Sequence, residues 1–153
     1  MQLLENKIPP PVVATLFAVS MWVLSKYVSG VAVSDSVRFM FSVVVLLVGA
    51  FFCLSGIVSF RRAKTTVNPL KPETASSLVS SGIYQISRNP MYVGFALLLV
   101  AWASYLGSPW ALLGVLGFVL YMNRFQITPE ERALKALFGE EFKAYQSRVR
   151  RWL

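Results

Sequence analysis

The sequence predicts an all-α integral membrane protein with four transmembrane helices and short cytoplasmic C-terminal helices. Three observations predict it. The 153 residues are 56% hydrophobic and only 14% charged, with a mean hydropathy of +0.58, which is too apolar for an ordinary soluble domain. Four apolar runs, at about residues 10–28, 37–60, 90–106 and 109–125, approach the ~20 residues that a helix needs to cross hydrocarbon. Lys and Arg gather in alternate connections, as the positive-inside rule requires. A single domain over 1–153 is expected, with a cytoplasmic cap built from about 61–89 and 126–150.

The first run begins at Pro10. It lacks a strongly basic leader and a small-x-small cleavage site, so it reads as a span rather than a signal peptide. The second run is the longest. The connection after it holds Arg61, Arg62, Lys64, Lys71 and Arg88, which places it in the cytoplasm. Within it, Thr65-Thr66-Val67-Asn68-Pro69 and Lys71-Pro72 predict an ordered irregular loop. The third run opens at Asn89-Pro90. Proline disfavours helix at the residue before it, so Asn89 is expected as the N-cap and Pro90 as the first helical residue. Gly107-Ser108-Pro109 then turns the chain tightly and carries no charge. In the fourth run, Ala111, Gly114 and Gly117 recur at helical spacing and are expected to let another helix approach closely.

After the fourth run, Thr128 is expected as an N-cap, Pro129 as the first helical residue, and Glu131 as the partner that completes a capping box. Gly139 reads as a C-cap. A second short helix, from Glu140 to about Arg150, puts Phe142, Tyr145 and Val149 on one face, against the membrane or the preceding helix. Arg124, Arg132, Lys135, Lys143, Arg148, Arg150 and Arg151 place this tail in the cytoplasm. Both termini are therefore expected there, at the inner membrane if the source is bacterial.

Composition also excludes chemistry. There is no histidine, which removes His-based acid–base catalysis and most zinc sites. The single Cys53 lies in an apolar run, so no internal disulfide or thiolate metal cluster forms, and no metal is expected. The net charge of +8 flanks apolar spans and forms no basic stripe interleaved with aromatics, so a nucleic-acid partner is not expected.

Two polar clusters remain, both on the cytoplasmic side. The first runs from Gly82 to Gly94 and includes Tyr84, Arg88, Asn89, Pro90 and Tyr92. A helix N-terminus there suits an anion, and Arg88 offers a bidentate contact to a carboxylate or phosphate. The bland alternative for Arg88 is a snorkelling interfacial residue. Tyr92 also reads as a belt aromatic, and Gly82 and Gly94 as points of close backbone approach, Gly94 equally as helix packing. The second cluster is Glu130-Glu131-Arg132-Ala133-Leu134. Adjacent glutamates point in different directions on a helix, so with Glu131 in a capping box, Glu130 is the freer carboxylate.

Gly-x-Tyr-x-x-x-Arg-Asn-Pro-Met-Tyr-x-Gly before one span and Glu-Glu-x-x-Leu-x-x-x-Phe-Gly-x-x-Phe-x-x-Tyr after the next resemble the isoprenylcysteine carboxyl methyltransferase family. The pattern is also similar to the phospholipid methyltransferases of the same membrane superfamily. The resemblance runs from about Thr65 to Arg150. It implies an integral membrane methyltransferase that uses S-adenosylmethionine and a lipid or other hydrophobic acceptor arriving from the bilayer. It implies that Gly82, Tyr84, Arg88, Asn89, Pro90, Tyr92 and Gly94 form a first cofactor motif. Glu130, Glu131 and Leu134 form a second, with Arg88 and Glu130 nearest the chemistry. The isoprenylcysteine enzymes usually carry His where this chain has Asn89, which brings it closer to the phospholipid-methylating branch.

The residue chemistry fits that cofactor. Arg88 and a helix N-terminus suit its carboxylate, a glutamate suits its ammonium or a ribose hydroxyl, and tyrosine faces with Leu134 suit the adenine and sulfonium. Transfer from an activated donor draws mainly on positioning. A carboxylate or thiolate acceptor needs no base. An amine acceptor needs one, and none stands out in the sequence. The rival class is a non-enzymatic membrane protein, a small transporter or assembly subunit. No span has an ionisable residue near its centre, which disfavours a proton-coupled transporter.

Overall fold

The computed structural model describes residues 5–28, 30, 32–63 and 76–153. The described residues form five α-helices: α1 (Pro10–Tyr27), α2 (Asp35–Arg62), α3 (Pro90–Leu106), α4 (Leu112–Met122) and α5 (Thr128–Arg148). Short 3₁₀ turns at Gly82–Gln85 and Pro109–Ala111 precede α3 and α4, and a π-turn at Asn123–Ile127 joins α4 to α5. The described residues include no strand. The expected loop at Thr65–Pro72 lies outside the described residues.

The helices alternate between two ends of one bundle. α3 starts at Pro90 as expected and stops at Gly107, whose φ of 66° is the left-handed cap that glycine tolerates. α1 packs on α4. A β-carbon on Gly114 would lie 2.3 Å from Met21 Cγ, and one on Gly117 would lie 2.7 Å from a Phe17 ring carbon. Phe17 and Phe118 meet edge to face. The small residues expected to admit a neighbour therefore do so, and the neighbour is α1.

α2 and α3 approach closely at Gly94, the packing alternative offered for that residue, while the sequence reading did not identify Gly49, Cys53 and Gly56 as its partners. A β-carbon on Gly94 would lie 2.8 Å from Gly49 O and 2.9 Å from Cys53 N, and one on Gly56 would lie 2.5 Å from Met91 Cγ. The rest of α2 is apolar all round and exposed, including Phe39, Met40, Phe41, Leu47, Phe51 and Leu54. A helix that is exposed and apolar on every face belongs in lipid.

Of two expectations about the spans, the first is supported in part and the second is corrected. Among the described residues, two helical runs are long and apolar enough to cross a membrane by themselves, Asp35–Arg62 and Pro109–Arg148. α3 has 17 residues, about 25 Å of helix at 1.5 Å per residue, just short of a ~30 Å hydrocarbon core. Helix length alone therefore marks two crossings, not four.

The fourth span and the C-terminal helices are also not separate. The chain stays helical from α4 through the π-turn into α5, and the expected break comes at Gly139 (φ 50°, ψ −117°), where two helical pieces of α5 meet. Thr128 does not cap a helix N-terminus, and no capping box forms. Its hydroxyl donates instead to Asn123 O at 2.7 Å. The physical reason is Pro129. A proline inside a helix lacks an N–H and clashes with the carbonyl four residues back. The π-turn makes room, and the released Phe125 carbonyl accepts from Asn6 N at 3.0 Å.

Candidate functional site

The polar residues of both clusters meet at one end of the bundle. Arg88 leaves the 3₁₀ turn and Glu131 sits in the first turns of α5. Arg88 Nη2 donates to Glu131 Oε1 at 2.8 Å, with the two side chains only 12% and 13% exposed. Arg151 closes on the other side of Glu131, its Nε 3.2 Å from Oε1 and its Nη2 bonded to Oε2. One buried carboxylate thus bridges two guanidinium groups.

Arg88 neither snorkels nor stands free. Its Nη1 donates to the carbonyls of Gln146 and Val149, tying it to the end of α5. Its Nε is buried and has no hydrogen-bond partner among the described residues. A buried unsatisfied donor is costly, and this one belongs to the guanidinium that bonds Glu131 of the second motif. It is the observation by which the residues present fit an anionic or carbonyl-bearing group.

Asn89 occupies the N-cap position of α3, but its side chain does not cap the helix. The amide donates to Arg151 O at 2.9 Å, while Ser87 Oγ donates to the same carbonyl at 3.3 Å. Arg88 N donates to Arg150 O at 2.9 Å. The chain end at 149–152 is therefore a strap laid along residues 87–89. Trp152 Nε1 extends it by donating to Asn123 Oδ1 at 3.1 Å. The sequence reading missed Ser87, Asn123, Arg151 and Trp152. Arg151 stands in a basic run that reads as a topology signal, and nothing in its spacing marks a partner 20 residues back.

Glu130 goes elsewhere. Tyr92 Oη donates to its Oε2 at 2.9 Å. Part of the Glu130 side chain remains accessible. Its carboxyl is enclosed, however, and burial raises its pKa from 4.5 to about 7; the charge of Glu131 adds to this and the Tyr92 bond opposes it. The sequence singled out Glu130 as a residue, but residue type alone does not show that its carboxyl is enclosed and bonded to Tyr92.

The tyrosines do not share one face, because the helix is interrupted between Gln85 and Pro90. Tyr84 is buried in a separate cluster with Val79, Ile83, Phe142 and Tyr145, against which Leu134 and Val149 pack. Its ring meets Phe60 edge to face, and its carbonyl accepts from Tyr145 Oη at 2.6 Å. Burial pushes both phenols above their ordinary range. Gly82 takes φ 62° where the chain turns under Ser59. Gly94 is placed in the α2–α3 contact, which is the packing alternative. Pro90 is buried at the start of α3. The structure brings together Arg88, Asn89, Glu131 and, one layer away, Tyr92 and Glu130. It separates Gly94 from them. The described residues contain no cluster of metal-ligating side chains.

An apolar helical bundle with a buried Arg88–Glu131 pair, closed by the half-exposed Arg151 at one end, has the make-up of a membrane-type protein with a polar site. The chain belongs to the phospholipid methyltransferase family, which matches residues 37–141. Among curated proteins, it is 48% identical over 63 residues to an uncharacterized protein of Haemophilus influenzae, covering 41% of this chain and all of that one. It is 30% identical over 112 residues to protein-S-isoprenylcysteine O-methyltransferase B of Arabidopsis thaliana, covering 71% of this chain and 55% of that one. It is 30% identical over 122 residues to protein-S-isoprenylcysteine O-methyltransferase of Schizosaccharomyces pombe, covering 74% and 50%. The chain spans about half the length of these named methyltransferases. No solved structure matches it.

Proposed function

We propose that the chain is one integral membrane methyltransferase domain over residues 1–153, acting on a lipid or other hydrophobic acceptor with S-adenosylmethionine as donor. The observation that carries this reading is the meeting of Arg88 with Glu131, 43 residues apart, at the end of an apolar helical hairpin. Family membership supports transfer chemistry and disfavours a purely structural or transport role.

S-adenosylmethionine, when bound, supplies an activated methyl group. The chain's own residues hold and orient. Arg88 offers its unpaired Nε to an acceptor atom, and Glu131 fixes that guanidinium in place. Asn89, Pro90, Gly82, Tyr84 and Leu134 shape the surrounding wall. Tyr92 holds the Glu130 carboxylate, which takes a proton from an acceptor that must lose one. That base extends the reading to amine-bearing lipids, in keeping with the phospholipid branch.

The test is calorimetric binding of S-adenosylmethionine to the detergent-solubilised protein, followed by transfer of labelled methyl in native membranes. Binding in the micromolar-to-millimolar range and label in the organic extract are expected. Label confined to a polar product would leave methyl transfer standing and overturn the lipid acceptor. No binding to a folded, lipid-supplied sample would overturn the enzyme reading.

A further inference from the structure

A second binding feature lies at the opposite end of the bundle. Gly107, which closes α3, is 17 residues past Pro90, about 25 Å along the helix. Beside it opens a groove of about 450 Å³ between the start of α2, the end of α3 and the start of α4. That volume falls in the range of sites that hold small molecules. Val37, Phe41, Val100 and Leu112 make its wall.

Its polar groups are few and specific. Arg38 lies against the Gly107 backbone, its Nη1 2.4 Å from where a β-carbon on Gly107 would stand. Any side chain at Gly107 would therefore displace the guanidinium. Ser108 is 3% exposed, and its Oγ has no hydrogen-bond partner among the described residues. Arg38 is paired with Asp35 at 2.9 Å, but Asp35 is 89% exposed. A solvated surface pair of that kind is weak, so a better-placed anion can take over the guanidinium.

An apolar groove lined also by an arginine and an unsatisfied hydroxyl matches one kind of molecule. We propose that this groove binds a single phospholipid from the membrane leaflet opposite the Arg88–Glu131 site, with an acyl chain along the apolar wall and the phosphate on Arg38 and Ser108. The guanidinium fork suits a phosphate bidentately. The inference rests on the bilayer placement of the chain and not on methyl transfer, so either can fail without the other.

Native mass spectrometry of the delipidated protein titrated with dioleoyl phosphatidylglycerol tests it. One lipid per chain should be retained ahead of any others. Dioleoylglycerol, which has the same chains and no phosphate, should bind at least about tenfold more weakly, as the loss of charge-assisted hydrogen bonds implies. Arg38→Gln should weaken phosphatidylglycerol by a similar factor, and Asp35→Asn should strengthen it by freeing the guanidinium. Leu112→Trp should block the slot from an exposed position, which keeps the test independent of Arg38's part in folding. Millimolar inorganic phosphate should not displace the lipid. Equal retention of dioleoylglycerol, a statistical ladder of adducts unchanged in both Arg38→Gln and Leu112→Trp, or full displacement by inorganic phosphate would each overturn the proposal.

Discussion

Glu130 and Glu131 are neighbours in sequence and serve different partners, because successive helical side chains diverge by about 100°. Glu131 pairs with both Arg88 and Arg151, which leaves the cluster with a net charge of +1. Removing one member of a buried ion pair leaves its partner uncompensated, typically at about 3–5 kcal/mol. Glu131→Ala strands the Arg88 guanidinium and is expected to lower thermal stability by that order, whereas Arg88→Ala leaves Glu131 paired with Arg151 and is expected to cost less. The double variant should lose less than the sum, which a thermal-unfolding cycle measures. Glu130 behaves oppositely. Its native pKa of about 7 lies above the ordinary 4.5, so the folded chain favours the protonated form. Its contribution to stability is fully present below about pH 4.5 and is lost as pH rises through about 7. Glu130→Gln is therefore expected to raise the melting temperature at pH 8 and to leave it unchanged near pH 4. The same substitution should remove a rise in methyl transfer centred near pH 7 with an amine acceptor. A higher melting temperature at pH 4 than at pH 8 in the native chain, absent from the variant, is the signature. The sequence singled out Arg88, Glu130 and Glu131 as residues, but it gave Glu131 a capping box with Thr128 that does not form and did not show their partners within the chain. Residue type and spacing show which groups are chemically able, whereas pairing depends on which distant segment folds over them.

At the scale of elements, the helices were legible and their joins were not. α3 runs from Pro90 to Leu106 as its proline and glycine boundaries require. The π-turn at Asn123–Ile127 was illegible, because Thr-Pro-Glu-Glu is also a good helix start in an isolated segment. Only the Asn6 contact to the freed Phe125 carbonyl makes continuity affordable there. The α2 side of the α2–α3 contact was equally hidden. Gly49, Cys53 and Gly56 sit within a long apolar run whose periodicity gives no preferred face. Gly94→Ala tests that contact. Its β-carbon would meet Gly49 O at 2.8 Å and Cys53 N at 2.9 Å, and backbone atoms cannot swing aside. Overpacking of this kind costs about 1–3 kcal/mol. Gly117→Ala meets only the Phe17 ring edge, at 2.7 Å, and is expected to cost less. Thermal unfolding of the two variants in the same detergent should rank them in that order; the reverse would mean that α2 and α3 separate more readily than their packing implies.

At the scale of the molecule, both described chain ends close on the same polar region. Glu5 pairs with Arg124 and Arg132 at the head of α1, and the strap at 149–152 lies across residues 87–89. α1 leaves that end and α2 returns to it, where Phe60 meets Tyr84. α3 leaves again, and α4 comes back into the π-turn. Four rods thus run between two ends, though two of them are marginal in length as isolated spans. Packing against longer neighbours lets a short apolar helix sit in a bilayer, because tilt and local thinning absorb a few ångströms at small cost. The uncharged hairpin at Gly107–Pro109 faces one way, and the basic tail faces the other. In a Cys53→Ala background, Trp110→Cys and Ser147→Cys are both at exposed positions, so each can react with a membrane-impermeant thiol reagent. Ser147→Cys is expected to label only from the cytoplasmic side and Trp110→Cys only from the opposite side. Labelling of both from one side would mean that the chain does not cross the membrane between them, and would overturn the expected topology.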